Sequence, residues 1–299
     1  MTPTLRLPPP GRHGGDGARL AAALGTAPEE VLDLSASLNP FAPDVAALAA
    51  GHLGALHRYP DPAAATAALA EAIGVDADRV LLTAGGSEAI TLVAAELGGS
   101  VEEPEFALHP RNGGPRWRSN PHNPTGRLAP AGEIAAVWDE AFYPLATGSW
   151  TRGDAGAVVV GSLTKLFACP GLRLGYVLAA PDLLGRLAAR QPQWAVGGLA
   201  SALVPELLAS ADLVGWRDRV AGARAELSAL LASHGLDPRP SDVNWVLCAS
   251  APGLRDRLAP RAVAVRDCAS FGLAGWARVA VPDAAGLERL AAALEATAP

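Results

Sequence analysis

The chain has one lysine, Lys165, and the other 23 of its 24 basic residues are arginine. Arginine stays protonated and is a poor nucleophile, whereas lysine can lose its proton and form an imine with an aldehyde. In so arginine-rich a sequence, a single lysine is either present by chance or required because arginine cannot replace it. The residues around Lys165 decide between these two interpretations.

Lys165 lies in the segment VVVGSLTKLFACPGLRLGY (158–176), directly after an apolar run typical of a strand. Ser162 precedes the lysine and Arg173 follows it. A hydroxyl, an amine and a guanidinium this close together suit a phosphorylated aldehyde cofactor. The lysine would form the imine, while Ser162 and Arg173 would bind the phosphate. The alternative is a turn with a solvated lysine and arginine, which explains any one of the three residues better than all three.

The same segment also matches the S-x-x-K motif of penicillin-binding proteins, from Ser162 to Lys165. That family needs a second lysine in a K-T-G element. Because the chain has no second lysine, the sequence argues against this acyl-enzyme chemistry in its usual form.

Three further segments carry groups that suit such a cofactor. Gly85–Ser87 lies between an apolar run and a predicted helix, where free backbone N–H groups bind phosphate. The rigid turn NPHNPTG (120–126) contains Asn123, whose amide could contact a ring hydroxyl. Asp139 could keep a pyridine nitrogen protonated, which makes the ring an electron sink. Their structural alternatives are a simple glycine turn, a loop and a surface helix residue.

The elements that must position these groups alternate along the chain. Apolar periodicity predicts helices near 18–24, 43–57, 62–73, 87–98, 181–190, 198–210, 212–233 and 284–296. It predicts strands near 79–83, 157–161, 174–179, 243–248, 262–266 and 276–281. This alternation indicates an α/β architecture. We expect a large domain over 36–195 and a small domain formed by 1–35 together with 196–299.

Taken in order, these segments resemble the fold-type I pyridoxal-phosphate enzymes of the class I/II aminotransferase group. The resemblance implies a three-layer α/β/α large domain, a smaller α+β C-terminal domain, and pyridoxal 5'-phosphate as cofactor. It implies that Lys165 forms the imine, that Asp139 contacts the pyridine nitrogen and that Asn123 contacts the ring hydroxyl. The residues that it places at the cofactor phosphate are Gly86, Ser87, Ser162 and Arg173.

The resemblance also implies contacts with the ring, the substrate and a second subunit. His109 falls where the family stacks a ring on the cofactor. Arg278, in WARVAV, matches the arginine that binds the substrate carboxylate. Tyr59, in RYPDP, matches the tyrosine that reaches the phosphate of the neighbouring subunit, which implies a homodimer.

Within this group the chain is most similar to the threonine-phosphate decarboxylases of cobalamin biosynthesis. The similar segments include HGGD (13–16), DLSASLNP (33–40), SDVNW (241–245) and VRDC (265–268). This implies decarboxylation of L-threonine O-3-phosphate to (R)-1-aminopropan-2-yl phosphate. The residues expected to bind that substrate are His13, Gly14, Gly15 and Asn39. Histidinol-phosphate aminotransferases share the catalytic core, so transamination is one alternative.

The chain is short for this group between Phe106 and Asn120, which only 13 residues separate. A strand–helix–strand unit needs about 30 residues. We therefore expect the unit that precedes NPHNPTG in the family to be missing, including the strand that leads to Asn120. The compressed stretch 133–138 must form either a short helix or a strand. These deletions motivate a second alternative, a non-catalytic relative.

Composition excludes several other classes of protein. A chain of 299 residues, half of them hydrophobic, can bury a sizeable core. The net charge of −6 without a basic run argues against nucleic acid as a partner, and no long apolar stretch predicts a membrane span. The first residues lack the apolar core of a secretory signal. Three scattered cysteines suit neither disulfides nor a metal site, so we expect a cytoplasmic protein. The family resemblance implies a small phosphorylated amino-acid substrate.

Overall fold

The structure is a computed structural model that describes residues 6–153 and 156–297. The strands in chain order are β1 Leu32–Leu34, β2 Val80–Ala84, β3 Trp117–Ser119, β4 Val137–Asp139, β5 Val158–Ser162, β6 Leu174–Leu178, β7 Asp237–Arg239, β8 Trp245–Ala249, β9 Val263–Asp267 and β10 Ala277–Ala280. The α-helices are α1 Gly17–Leu24, α2 Val45–Ala50, α3 Ala63–Ile73, α4 Gly86–Leu97, α5 Tyr143–Thr147, α6 Leu163–Leu166, α7 Pro181–Ala188, α8 Gly198–Ala209, α9 Leu213–Ser233, α10 Leu254–Leu258 and α11 Ala284–Glu295.

The chain divides into two compact units with other boundaries than the sequence predicts. The larger unit contains Phe41–Asn123 and Leu128–Asp218, and the smaller contains the chain up to Pro40, Pro124–Arg127 and the chain from Arg219. The stretch 196–218 belongs to the larger unit because α8 packs against α2 and α3. The stretch 36–40 belongs to the smaller unit, where the Asn244 amide donates to the Ser37 and Leu38 carbonyls at 3.0 and 3.1 Å.

The larger unit is built on a five-stranded sheet of order β2-β6-β5-β4-β3. Strands β2, β5, β4 and β3 run parallel, and β6 runs against them between β2 and β5. All five residues of β5 are buried, which is typical of a central strand covered on both faces. Helix α4 packs against β2, β5 and β6, and α7 packs against α4 and β2.

The sheet ends at β3, beside the shortened part of the chain. Between Gly99 and Arg116 the backbone makes only isolated bridges, Gly99 with Gly113 and Ser100 with Arg116, and the described residues there form no helix. The expectation that the strand before Asn120 is missing was wrong. Strand β3 is present because its main chain pairs in parallel with β4 and its Trp117 is fully buried. The stretch 133–138 resolves as a loop followed by the start of β4.

The smaller unit is built on a second sheet of order β1-β9-β10-β8-β7. The pairs β9–β10, β10–β8 and β8–β7 are antiparallel, and β1 pairs in parallel with β9. Apolar side chains from these strands form one core with residues of α9, α10 and α11.

None of the described helices is by itself long and apolar enough to cross a membrane. Helices α8 and α9 reach that length and composition only together, and a bend of 84° separates them.

Candidate active site

Most of the predicted cofactor residues lie at one edge of the larger sheet. Because β2, β3, β4 and β5 run parallel, their carboxyl ends meet at the same edge, where ligands bind in open α/β sheets. Antiparallel β6 begins at that edge, so the residue before it also lies there. The predicted residues brought to this edge are Gly86, Ser87, Asn123, Asp139, Ser162, Lys165 and Arg173.

The turn after β2 forms a cradle for an anion. Gly85 has φ +84°, and a Cβ atom there would lie 2.6 Å from Arg173 Nη2. A Cβ atom on Gly86 would lie 3.5 Å from the Ser162 Cβ. The two glycines therefore let a guanidinium and a hydroxyl approach the N-terminus of α4, whose free N–H groups attract phosphate. The residues present fit the phosphate group of pyridoxal 5'-phosphate.

The backbone of Arg173 is strained, with φ +56° in the left-handed region. Non-glycine residues rarely adopt this conformation, and those that do cluster at ligand sites. The neighbouring Leu172 N–H donates to the Cys169 carbonyl at 3.1 Å, which fixes the turn before β6. The strain thus supports a functional role for the Arg173 guanidinium.

Lys165 is half-buried near the C-terminus of the short helix α6, which follows β5. Thr164 anchors this helix, since its hydroxyl donates to the Leu174 carbonyl at 3.2 Å. Burial raises the pKa of the nearby Cys169 thiol to about 11, so that thiol stays protonated at neutral pH. The described residues hold no cluster of His, Cys, Asp or Glu that could bind a metal ion. The amine is therefore the candidate nucleophile at this edge.

Asp139, the last residue of β4, has a carboxylate fixed by two donors. His109 Nε2 lies 2.9 Å from Oδ2, and the Ala141 N–H donates to Oδ1 at 3.0 Å. The side chain is 10% exposed, so the carboxylate is oriented and still reachable. This arrangement suits a partner for a pyridine nitrogen.

His109 does not present a face on which a cofactor could stack. Its side chain is fully buried, and its ring lies 5.6 Å from the Phe106 ring and 5.5 Å from the Trp117 ring. Its Nδ1 makes no hydrogen bond within the described residues and lies 3.8 Å from Glu105 Oε1. The geometry gives no support to the predicted stacking, because an enclosed ring cannot cover a ligand. The imidazole instead holds Asp139.

Asn123 is buried in a turn that is tied to the end of β3. Its backbone N–H donates to Ser119 Oγ at 2.9 Å. The Ser119 hydroxyl in turn donates to Glu105, whose Oε2 accepts from the Ser119 N–H at 2.9 Å. The Asn120 amide oxygen closes the turn by accepting from the Ala129 N–H at 2.9 Å. The turn is therefore positioned by side chains as well as by the short strand.

Tyr59 lies outside this group of residues. Its side chain is 79% exposed, and its ring centroid lies 4.5 Å from that of Trp194. The exposed position leaves Tyr59 available to a second copy of the chain.

The predicted substrate residues His13, Gly14, Gly15, Asn39 and Arg278 all belong to the smaller unit. Asn39 and Arg278 are buried, and His13 is exposed. The segment around Gly14 is held in place, because Ser35 Oγ accepts from the N–H groups of Gly15 and Asp16 at 2.9 and 3.0 Å.

The sequence reasoning missed Arg266, which is paired with Arg278 across β9 and β10. Arg266 donates to the carbonyls of His13 and Arg12 at 3.2 and 3.0 Å, and its Nε is buried without a partner in the described residues. Burial, and then the charge of Arg266, hold the pKa of Arg278 well below its usual range. Adjacent buried guanidinium groups suit a dianion. The available signal was an arginine in each of two otherwise apolar runs.

Residues 117–294, more than half of the chain, match the family model described as aminotransferase class I and II. The chain belongs to this family. The threonine-phosphate decarboxylase of Salmonella typhimurium is 30% identical over 94% of this chain and 95% of that protein. The histidinol-phosphate aminotransferase 1 of Dechloromonas aromatica is 27% identical over 93% of this chain and 92% of that protein.

A solved structure shares the fold, which confirms the predicted fold class. The histidinol-phosphate aminotransferase of Sinorhizobium meliloti, solved in complex with pyridoxal-5'-phosphate, superposes with a TM-score of 0.79. The two are 18% identical, and the match covers 94% of each chain. Pyridoxal 5'-phosphate is the cofactor of this family.

The relatives also confirm that the chain is shortened internally. The 93% of the 299-residue chain that matches the Dechloromonas protein, about 278 residues, is spread over 341 aligned positions. About 60 positions of the alignment therefore have no counterpart in this chain. The absence of a helix between Phe106 and Asn120 agrees with this difference.

Proposed function

We propose that the chain decarboxylates L-threonine O-3-phosphate to (R)-1-aminopropan-2-yl phosphate with pyridoxal 5'-phosphate as cofactor. The observation that carries this proposal is the contact of Arg266 with the main chain of Arg12 and His13. HGGD and VRDC are two of the segments by which the chain resembles the decarboxylases. The contact joins them in one place, beside the buried Arg278.

The residues at the sheet edge would hold the cofactor as the family resemblance implies. Lys165 would bind its aldehyde, Asp139 its pyridine nitrogen and Asn123 its ring hydroxyl. The phosphate would be bound by Gly86, Ser87, Ser162 and Arg173. When bound, the cofactor supplies an electron sink for the charge left on the substrate α-carbon after bond cleavage.

Side chains of the protein would orient the substrate and transfer the proton. His109 contacts the Asp139 carboxylate and so keeps that group oriented. Arg278 would bind the substrate carboxylate and orient its bond to the α-carbon for loss of carbon dioxide. Lys165, in its protonated form, would deliver a proton to the α-carbon.

The substrate phosphate would be bound by a further group of residues. His13, Gly14, Gly15 and Asn39 are the residues that the resemblance implies, and we add Arg266 to them. Burial raises the free-energy cost of two neighbouring guanidinium groups, and a bound dianion offsets that cost. The site therefore favours a substrate that carries a phosphate and a carboxylate.

We further propose that the protein works as a homodimer in the cytoplasm. The exposed Tyr59 supports the dimer, because its hydroxyl is free to reach a cofactor phosphate in the neighbouring subunit.

Visible absorption spectra test the proposal. Purified protein with pyridoxal phosphate should show an imine band that shifts when L-threonine O-3-phosphate is added, with release of carbon dioxide. Lys165→Ala should show no such band, and Lys165→Arg is the matched charged control. An imine band that does not shift when the substrate is added would contradict the proposed reaction but not the proposed cofactor. Absence of the band would favour a non-catalytic relative.

Transamination of histidinol phosphate is the second candidate. The Dechloromonas relative supports it, because its identity and coverage are similar to those of the decarboxylase. Transfer of the amino group to 2-oxoglutarate, with no release of carbon dioxide, would identify this reaction instead.

A further inference from the structure

Two large aromatic side chains of the larger unit, Tyr59 and Trp194, are exposed to solvent and pack against each other. Tyr59 is 79% exposed and Trp194 is 57% exposed. Their ring centroids lie 4.5 Å apart, and the ring planes meet at 31°. Such a stack restricts the rotamers of both side chains, although neither is held by a surrounding core.

The backbone of Trp194 is strained. Its φ of +56° lies in the left-handed region, where a bulky L-residue is a clear outlier. Glycine would adopt this conformation without strain, and the chain uses glycine at many other positive-φ positions. A tryptophan at a strained position indicates that its ring has a role.

The loop that carries Trp194 is anchored to the turn that would hold the cofactor phosphate. The Gln191 amide donates to the Leu82 carbonyl at 2.9 Å and to Glu88 Oε2 at 3.0 Å. The same Glu88 oxygen accepts from the Ala84 N–H at 2.6 Å. Leu82 and Ala84 belong to β2, and Glu88 lies in the first turn of α4. The loop is therefore tied to the sheet three residues before the tryptophan.

We propose that Trp194 is a positioning residue for Tyr59. Its ring, stacked on Tyr59 and carried by the loop that Gln191 anchors, holds the tyrosine in the orientation from which the hydroxyl reaches a cofactor phosphate in a second copy of the chain. The proposal rests on the function proposed above for Tyr59. Its physical basis is preorganisation: a side chain that is already ordered loses less entropy when it binds.

A double-mutant cycle tests this role. Trp194→Leu and Tyr59→Leu are made singly and together, and Trp194→Phe serves as the conservative control. Equilibrium dialysis gives the Kd for pyridoxal phosphate, heating the protein without cofactor gives its Tm, and light scattering gives the assembly state. Trp194→Leu should raise the Kd about three- to tenfold, Trp194→Phe should restore most of the affinity, and Trp194→Leu should add no loss when Tyr59 is already leucine.

Trp194→Gly separates positioning from stability. It removes the ring and relieves the left-handed strain, so the Kd should rise as in Trp194→Leu while the Tm without cofactor does not fall. An equal loss of affinity in both Tyr59 backgrounds would overturn the proposal, as would an unchanged Kd. Loss of assembly in Trp194→Leu would also overturn it, because Trp194 would then be an interface residue.

The failure of this inference differs from the failure of the proposed function. If wild-type protein forms no imine band with pyridoxal phosphate, the proposed function fails. If the band forms and depends on Lys165 but Trp194→Leu leaves the Kd for pyridoxal phosphate unchanged, only the positioning role fails.

Discussion

The two ends of the larger sheet hold their candidate residues in different ways. On one side β2, β6 and β5 each have five residues, and their ladders carry the phosphate turn, Lys165 and Arg173. On the other side β3 and β4 have three residues each, and they carry Asn123 and Asp139. Buried polar side chains supplement the backbone on this shorter side. The comparison teaches that side-chain hydrogen bonds can position the candidate site residues where the strands are short.

Glu105 is the residue whose loss should most damage the shorter side. Its carboxylate is buried and accepts from the main-chain and hydroxyl groups of Ser119 and from the Phe106 N–H. Glu105→Ala would leave these donors unpaired, so we expect the free energy of unfolding to fall by about 3 kcal/mol, measured by urea denaturation. Glu96→Ala, which removes the partner of the exposed Arg186 and Arg190, is the control and should cost far less. Equal losses would contradict the special role of the shorter side.

Arg173 tests the side of β2, β6 and β5, where the longer strands already position the candidate residues. Arg173→Gly should weaken binding of pyridoxal phosphate by about 10- to 100-fold, because a charge-assisted phosphate contact is lost. The Tm without cofactor should not fall, since glycine tolerates the φ of +56°. Arg173→Ala, which keeps the strain, is the matched control and should have the lower Tm. A Tm that falls equally in both variants would show that Arg173 is structural.

His109 distinguishes a positioning role from a stacking role on the shorter side. His109→Phe keeps a flat ring but removes the donor to Asp139, so we expect the Kd for pyridoxal phosphate to rise about tenfold. His109→Gln keeps an N–H donor and should retain more of the affinity. The reverse order, with phenylalanine better than glutamine, would restore the stacking hypothesis.

The smallest effect is expected for the thiols. Burial raises the pKa of Cys169 to about 11 and that of Cys248 to about 12, and it also raises the pKa of Cys268. Because only the thiolate reacts, native protein should resist iodoacetamide from pH 7 to pH 9. Rapid labelling of native Cys169 in that range would show that the turn before Arg173 opens.

The sequence predicts long periodic elements well and short ones poorly. The helices near 63–73 and 86–97 were predicted within one or two residues, because apolar periodicity and glycine boundaries mark them. Strands β3 and β4 are too short for a period-two pattern, and only parallel pairing defines them.

The residues of the candidate site also differ in how well the sequence predicts them. The residues at strand ends, such as Lys165 and Arg173, follow from motifs and topology. The contact of His109 with Asp139 joins residues 30 positions apart, and the pairing of Arg266 with Arg278 depends on the register of two strands. No local pattern contains such information.

The fate of the substrate carboxylate tests the central claim most directly. L-threonine O-3-phosphate labelled in its carboxyl carbon is incubated with the protein and pyridoxal phosphate, with and without 2-oxoglutarate. We predict that the label leaves as carbon dioxide in both cases and that an amine phosphate accumulates. Label retained in a keto acid, formed only when 2-oxoglutarate is present, would contradict the account and identify an aminotransferase.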